Sequence, residues 1–131
     1  MDLAEKLNAF GQDPSAETFG ACVDALRDAV VCIGVLRNPD GSARIPLLEH
    51  PAGGMCLVVF LDESAATAWW KNSDGVVPQR LVGPSLIQLA ATERVAFISI
   101  DPQRGDQRMD IDREEYEKIS RFWGIRPLFG M

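Results

Sequence analysis

A cysteine and a histidine are the residues in this sequence that come closest to a catalytic pair. Cys56 lies six residues after His50, the chain's one histidine, and a catalytic thiol needs a base within hydrogen-bond reach. The intervening Pro-Ala-Gly-Gly predicts a turn, so the strands on either side should pair. However, cysteine is commonly a small buried hydrophobic residue, and His50 before a proline is typical of a turn. The absence of a fuller motif favours a domain without catalytic activity.

A cluster of acids near the C-terminus has the right chemistry for a metal ion but the wrong spacing. Asp110, Asp112, Glu114 and Glu115 lack the glycine and the twelve-residue pattern of a calcium loop. Acids at a predicted helix start are explained by capping and by the helix dipole. We therefore expect no metal site and no cofactor.

A candidate anion site lies at another predicted helix start. Gly83 and Ser85 flank a proline that suits the first turn of a helix, and Arg80 lies three residues earlier. A helix N-terminus can bind an anion, but a single glycine is unlike a phosphate-binding loop.

Two adjacent tryptophans end a short helix for which Asp62 is the expected N-cap residue. Neighbouring residues on a helix point about 100° apart, so one buried stripe cannot hold both indoles. We expect one indole at the margin of the fold, where an exposed tryptophan is typical of a contact with another protein. The alternative is that both are partly buried, under loops or under the C-terminal tail.

The last ten residues are too apolar to remain in water. This tail, residues 122–131, must pack on its own core, on a second copy of the chain or on a partner. Its large apolar residues are Phe122, Trp123, Ile125, Leu128 and Phe129. We predict that Phe122, Trp123 and Phe129, together with Trp70, form the surface for a protein partner or a homodimer.

The charge and the cysteines limit the compartment and the partner. Thirteen lysines and arginines against nineteen aspartates and glutamates give a net charge of -6, which repels nucleic acid and anionic membranes. The acidic, amphipathic start of the chain is unlike an export signal, and no apolar run approaches the roughly 20 residues that cross a bilayer. Three cysteines without a Cys-x-x-Cys pair indicate reduced thiols. We expect a cytoplasmic protein with no nucleic-acid or membrane partner.

The elements that must position these residues are both helices and strands. Apolar spacing and capping residues predict helices over 2–10, from Ser15 to 28, after Asp62, from Gly83 and from Asp112 to Arg121. Apolar runs predict strands at 29–36, 43–50, 55–61, 76–82, 95–101 and 108–111. The first three strands should form an antiparallel meander, with Pro46 placing the middle strand at an edge or at a bulge.

The sequence thus predicts one α+β domain with a meander extended to a mixed four- to five-stranded sheet and helices mainly on one face. Its expected parts are N-terminal helices at 2–28, an α+β core at 29–121 and the apolar tail at 122–131.

These elements and several short motifs resemble the SseB protein N-terminal domain family, named after a bacterial protein linked to enhanced serine sensitivity. The resemblance covers residues 30 to 120 approximately. Its motifs here are Ile45-Pro46-Leu47-Leu48, Gly53-Gly54, Phe60-Leu61-Asp62, Trp69, Gly83 to Leu86, and Asp101-Pro102 with Gly105. The resemblance implies a bacterial α+β binding or adaptor module rather than an enzyme, with Trp69 in the core and Trp70 at the margin. A type III secretion translocon protein of the same name is unrelated, and this chain lacks its long helical character.

The function that we expect is non-catalytic protein binding or regulation in a bacterial cytoplasm. One alternative is a small-ligand-binding protein or a thiol-dependent enzyme that uses Cys56 and His50, or the helix start at Gly83. The other alternative is a structural domain that forms a homodimer through its tail.

Overall fold

A computed structural model describes residues 2–125 of the chain, and its elements follow the predicted order. The helices are α1 (Leu3–Gln12), α2 (Ala16–Asp28), α3 (Glu63–Trp70), α4 (Gly83–Glu93) and α5 (Arg113–Trp123), with a 3-10 helix at Pro102–Gln107. The strands are β1 (Val30–Arg37), β2 (Ala43–Arg44), β3 (Leu48–Glu49), β4 (Met55–Val59), β5 (Val76–Val82), β6 (Phe97–Ile100) and β7 (Met109–Asp112). This composition confirms the predicted α+β class.

The strands form two sheets. β1 lies between β2 and β5 in an antiparallel sheet, and the second sheet has the order β3-β4-β6-β7. In the second sheet β4 and β6 are parallel, whereas the outer pairs are antiparallel. The sheets meet at a bridge between Cys32 of β1 and Phe60, where two backbone hydrogen bonds of 2.8 Å join the residues.

The predicted strand at 43–50 is divided around Pro46. Its first part, β2, pairs with β1, whereas its second part, β3, pairs with β4. Because proline has no N–H for a strand ladder, the chain leaves one sheet here and enters the other. The expected meander is therefore distributed over two sheets.

The two faces of the four-stranded sheet differ in what covers them. Alternate residues of a strand point to opposite faces, so Leu57 and Val59 of β4 join the main hydrophobic core with α1, α2, α4 and α5. Cys56 and Val58 point the other way and belong to a smaller cluster with α3. We call the face of Cys56 and Val58 the outer face. Four of the five α-helices within residues 2–125 contribute to the main core, which agrees with the predicted one-sided packing.

The capping residues act where the sequence predicts. Ser15, Asp62 and Asp112 each accept a hydrogen bond from a backbone N–H in the first turn of α2, α3 and α5, respectively. Such caps satisfy N–H groups that have no partner within the helix. α1 and α5 each continue two residues beyond their predicted ends.

Asp101 fixes the corner after β6. It is buried, and its backbone is left-handed with φ 53°, a conformation that short polar residues tolerate better than most. Its carboxylate accepts hydrogen bonds from the Leu61 N–H at 3.2 Å and from Arg104 Nε at 2.9 Å. The carboxylate therefore ties the end of β6 to the chain that leaves β4.

Gly83 lets α4 begin directly against the end of α2. Its N–H donates to the Ala29 carbonyl at 3.2 Å. A Cβ atom at this position would overlap the Leu26 carbonyl oxygen, so glycine is required here for its lack of a side chain.

We expect Gly83→Ala to lower the free energy of unfolding by about 3 kcal/mol or more, because backbone atoms of α2 must move to accept the methyl group. Gly20→Ala is the matched control, since Gly20 lies within α2 and has open space around its Cβ position. This control should raise the free energy of unfolding by about 0.5–1 kcal/mol. Urea unfolding followed by circular dichroism measures both, and a Gly83→Ala variant as stable as the wild type would contradict the close approach.

Candidate functional site

The outer face carries a pocket of about 200 Å³ beside the end of α3. Side chains of β4 and β6, the turn after β3 and the C-terminal end of α3 form its walls. The lining includes His50, Cys56, Val58, Trp69, Ser99 and Arg108. We call it the outer-face pocket. The structure thus brings Cys56 and His50 into one pocket, as the predicted pairing of their strands requires.

Asp110 joins three of the pocket residues in a polar cluster. Its Oδ2 accepts from His50 Nε2 at 2.8 Å, and its Oδ1 accepts from Ser99 Oγ at 2.8 Å and Arg108 Nε at 3.2 Å. The register of β6 and β7 places Ser99 directly opposite Asp110. Burial acts to raise the pKa of Asp110, but the hydrogen bonds from His50 and Ser99 and the charge of Arg108 outweigh it and hold the pKa below its usual value.

Both ring nitrogens of His50 are engaged within the protein. The Ala52 N–H donates to Nδ1 at 3.0 Å, so Nδ1 carries no proton and Nε2–H is the donor to Asp110. The imidazole stacks on Phe97 with 3.8 Å between ring centroids, and the side chain is only 7% exposed. His50 is therefore an oriented side chain whose two ring nitrogens are both engaged within the protein, which leaves no free lone pair for a neighbouring nucleophile.

The two candidate nucleophiles of the pocket are not activated. Burial, with a smaller contribution from the charge of Asp110, raises the pKa of the Cys56 thiol, which keeps it protonated. The Ser99 hydroxyl donates to Asp110, whereas in a Ser-His-Asp triad the histidine lies between the hydroxyl and the carboxylate. The arrangement suits binding better than nucleophilic catalysis.

The structure reverses the predicted roles of the two tryptophans. Trp69, expected in the core, is 39% exposed and forms a wall of the outer-face pocket. Trp70, expected at the margin, is half-buried in the cluster beneath α3. Its indole fills the space above Gly34 of β1, where a Cβ atom would lie 2.5 Å from Nε1. Trp70 is thus not the more exposed of the two indoles, because β1 has a glycine where this α3 indole packs; its role in a partner contact stays a prediction.

The described part of the tail contains two of its three predicted surface residues. Phe122 is 80% exposed on α5, and Trp123 is half-buried against the main core. Phe129 lies outside the described residues. A role of these residues in a partner contact or a homodimer stays a prediction.

The residues of the weak anion-site candidate point to different partners. Arg80 donates to Glu63 of α3 at 3.2 Å, and Cys32 on β1 is its strand neighbour. The Gly83 N–H is already bonded to the Ala29 carbonyl, and Ser85 is exposed to solvent. The geometry does not assemble these three residues into an anion site.

Sequence reasoning missed Ser99, Arg108 and the role of Asp110. A signal for Ser99 was present, because it is a polar residue within the apolar run of β6 and is only 3% exposed. A buried serine needs a hydrogen-bond partner, but its partner on β7 follows from strand pairing and not from local sequence.

The depressed pKa of Asp110 predicts a pH dependence of stability. The stabilisation from this group is complete above the unfolded-state pKa of about 3.9 and is lost as the pH falls through the lower folded-state pKa. Asp110→Asn should unfold with a free energy about 1 kcal/mol lower near neutral pH, and the difference from wild type should shrink on acidification below about pH 4. Chemical denaturation at a series of pH values measures it.

The control for this measurement is Asp24→Asn, which removes one carboxylate from the exposed side of α2. A difference between wild type and Asp110→Asn that stayed constant with pH, or that the control reproduced, would show that the polar cluster does not stabilise the ionised carboxylate.

Comparison with known proteins assigns the chain to a family. The model of the SseB protein N-terminal domain matches residues 3–117, which is most of the chain and includes every strand of both sheets. A search of curated proteins gives no match. Among residues 2–125, no helix combines the length and the apolar character needed to span a membrane. Because the family model matches residues 3–117, the chain belongs to the SseB protein N-terminal domain family.

Proposed function

We propose that this protein is a non-catalytic protein-binding or regulatory module whose contact surface is Trp69 and the outer-face pocket. The observation that carries this proposal is the 39% exposure of Trp69 at the wall of the pocket. Tryptophan is enriched among the residues that contribute most to binding between proteins. The ring of Phe60 packs beside the indole, with 5.8 Å between the ring centroids.

The polar cluster supports binding because it is already satisfied within the protein. His50, Ser99 and Arg108 all hydrogen-bond to the same carboxylate. A partner that covers the pocket does not need to replace these bonds, so the desolvation cost is small. The cluster also orients one side of the pocket before a partner arrives, which reduces the entropy lost on binding.

We further propose a bacterial cytoplasm as the setting of this protein. Family membership supports this proposal. The three cysteines are free, buried thiols, which is the usual state of cysteine in a reducing compartment.

Two alternative functions each have one observation in their favour. Cys56 and His50 share the outer-face pocket, as a small-ligand-binding protein or thiol-dependent enzyme would need. Phe122 is 80% exposed, as a homodimer contact would need. Within the first alternative, the thiol-dependent enzyme is the weaker reading, because neither the thiol nor the imidazole is available for chemistry in this arrangement.

Affinity capture from a bacterial lysate tests the protein-binding function. A partner should be retained by the wild type and by Phe122→Ser, but lost from Trp69→Ser after that variant is shown to be folded. Ala68→Ser is the matched control, since Ala68 is the exposed neighbour on the same helix. If Trp69→Ser retains every protein that the wild type retains, Trp69 is not the contact. Loss only from Phe122→Ser would favour the tail surface.

Alkylation of the thiols separates binding from thiol chemistry. Burial raises the pKa of Cys22 to about 11, from 9.0, and it also raises the pKa values of Cys32 and Cys56. At about pH 8, iodoacetamide should therefore modify Cys22 in the folded protein on the order of a hundredfold more slowly than in the unfolded chain. Cys56 should also be slow, and mass spectrometry of peptides measures each rate. A Cys56 that reacts faster when folded would favour the thiol-dependent alternative.

A further inference from the structure

We propose that the outer-face pocket receives one apolar side chain of a partner protein, and that a lysine or arginine beside that side chain pairs with Glu49. This inference rests on the proposed protein-binding function and specifies the chemistry of the partner. Its basis is the size of the pocket, the state of its polar groups and the charge at its rim.

The size of the pocket fits a single side chain. Its volume of about 200 Å³ lies below the roughly 300–1,000 Å³ of typical small-molecule sites, and it corresponds to about seven water molecules at ~30 Å³ each. Leu48, Val58 and Pro102 contribute apolar wall, and Trp69 contributes an aromatic one. An aromatic or branched aliphatic side chain is the group that such a cavity buries favourably.

The polar groups of the pocket do not demand a polar ligand. His50 uses both ring nitrogens within the protein, and Ser99 donates its hydroxyl hydrogen to Asp110. The Cys56 thiol is a weak hydrogen-bonding group that behaves as a small hydrophobe. An apolar side chain can therefore enter without leaving a strong donor of these residues unpaired.

The charge at the rim of the pocket favours a cation next to the apolar side chain of the partner. Arg108 is offset by Asp110 at 3.2 Å. Glu49 also lines the pocket and is exposed, and its carboxylate makes no hydrogen bond or ion pair with any of the residues 2–125. The whole chain carries a net charge of -6, which attracts cations at long range. A partner with a cation beside its apolar side chain is therefore attracted twice: by the net charge as it approaches, and by the Glu49 carboxylate once it is bound.

A second copy of the chain is a weaker occupant than a foreign partner. Phe122 with its exposed neighbour Arg121 has the required chemistry. However, two copies with a charge of -6 each repel one another. We therefore assign the pocket to a different protein, with a segment that is apolar and basic.

Three capped pentapeptides test the inference: Ala-Lys-Phe-Lys-Ala, Ala-Glu-Phe-Glu-Ala and Ala-Lys-Ala-Lys-Ala, each acetylated and amidated. Titration into the protein of residues 1–131, followed by ¹⁵N NMR, should move the amide signals of Cys56 and Ser99 and the indole signal of Trp69. We expect the Lys-Phe-Lys peptide to bind at least about tenfold more tightly than the peptide without phenylalanine. It should also bind several-fold more tightly than the Glu-Phe-Glu peptide.

Two variants connect these responses to the named residues. Trp69→Ser, shown to be folded by its spectrum, should lose the response to the Lys-Phe-Lys peptide. Glu49→Gln should weaken the binding of that peptide by about two- to fivefold. It should also reduce the difference in affinity between that peptide and the Glu-Phe-Glu peptide. Glu17→Gln, on the exposed side of α2, is the matched control and should change neither value.

Three results of the peptide titrations would overturn the inference. These are equal binding of the acidic and basic phenylalanine peptides, shifts that lie outside the pocket, and no shift of the pocket signals at millimolar peptide. Pocket signals that move on dilution of the protein alone, and stop moving in Phe122→Ser, would identify a second copy as the occupant and also overturn it. If a partner is captured by the wild type and lost from Trp69→Ser, but none of the peptides binds, the protein-binding function still stands. That result refutes only the proposed apolar side chain and its neighbouring cation.

Discussion

The backbone bridge between Cys32 and Phe60 is the contact on which the rest of the architecture depends. It joins a three-stranded sheet to a four-stranded one through two short hydrogen bonds. Beyond the bridge the chain turns at Asp62 into α3, which returns across the junction and places Trp70 on Gly34. A single indole thus covers the place where the sheets meet, and this orientation of α3 leaves Trp69 at the wall of the outer-face pocket.

The local features of this fold could be predicted from sequence because short-range chemistry determines them. Ser15, Asp62 and Asp112 cap helices since each offers an oxygen to N–H groups three residues away. Pro46 interrupts a strand because it lacks an N–H. These effects involve neighbours in the sequence, so no knowledge of the tertiary structure is needed to recognise them.

The candidate site depends on long-range pairing and was predicted only in part. The Cys56–His50 proximity was anticipated because a short turn joins their strands. The hydrogen bond from His50 to Asp110 spans 60 positions, and it follows from the order of four strands that no local pattern specifies. The exchange of roles between Trp69 and Trp70 also depends on long-range packing. Gly34, which receives the Trp70 indole, lies on β1, far from α3 in the sequence.

The parallel pairing of β4 with β6 has a consequence for how the protein acquires its surface. Residues 60–96 separate these strands in the sequence, and that interval includes β5, which completes the other sheet. Such non-local pairing closes a long loop and forms late relative to local contacts. The outer-face pocket has lining residues on β3, β4, β6 and α3, so it is complete only once β4 and β6 have paired. A partner bound there would therefore also distinguish the finished domain from a nascent or partly unfolded chain.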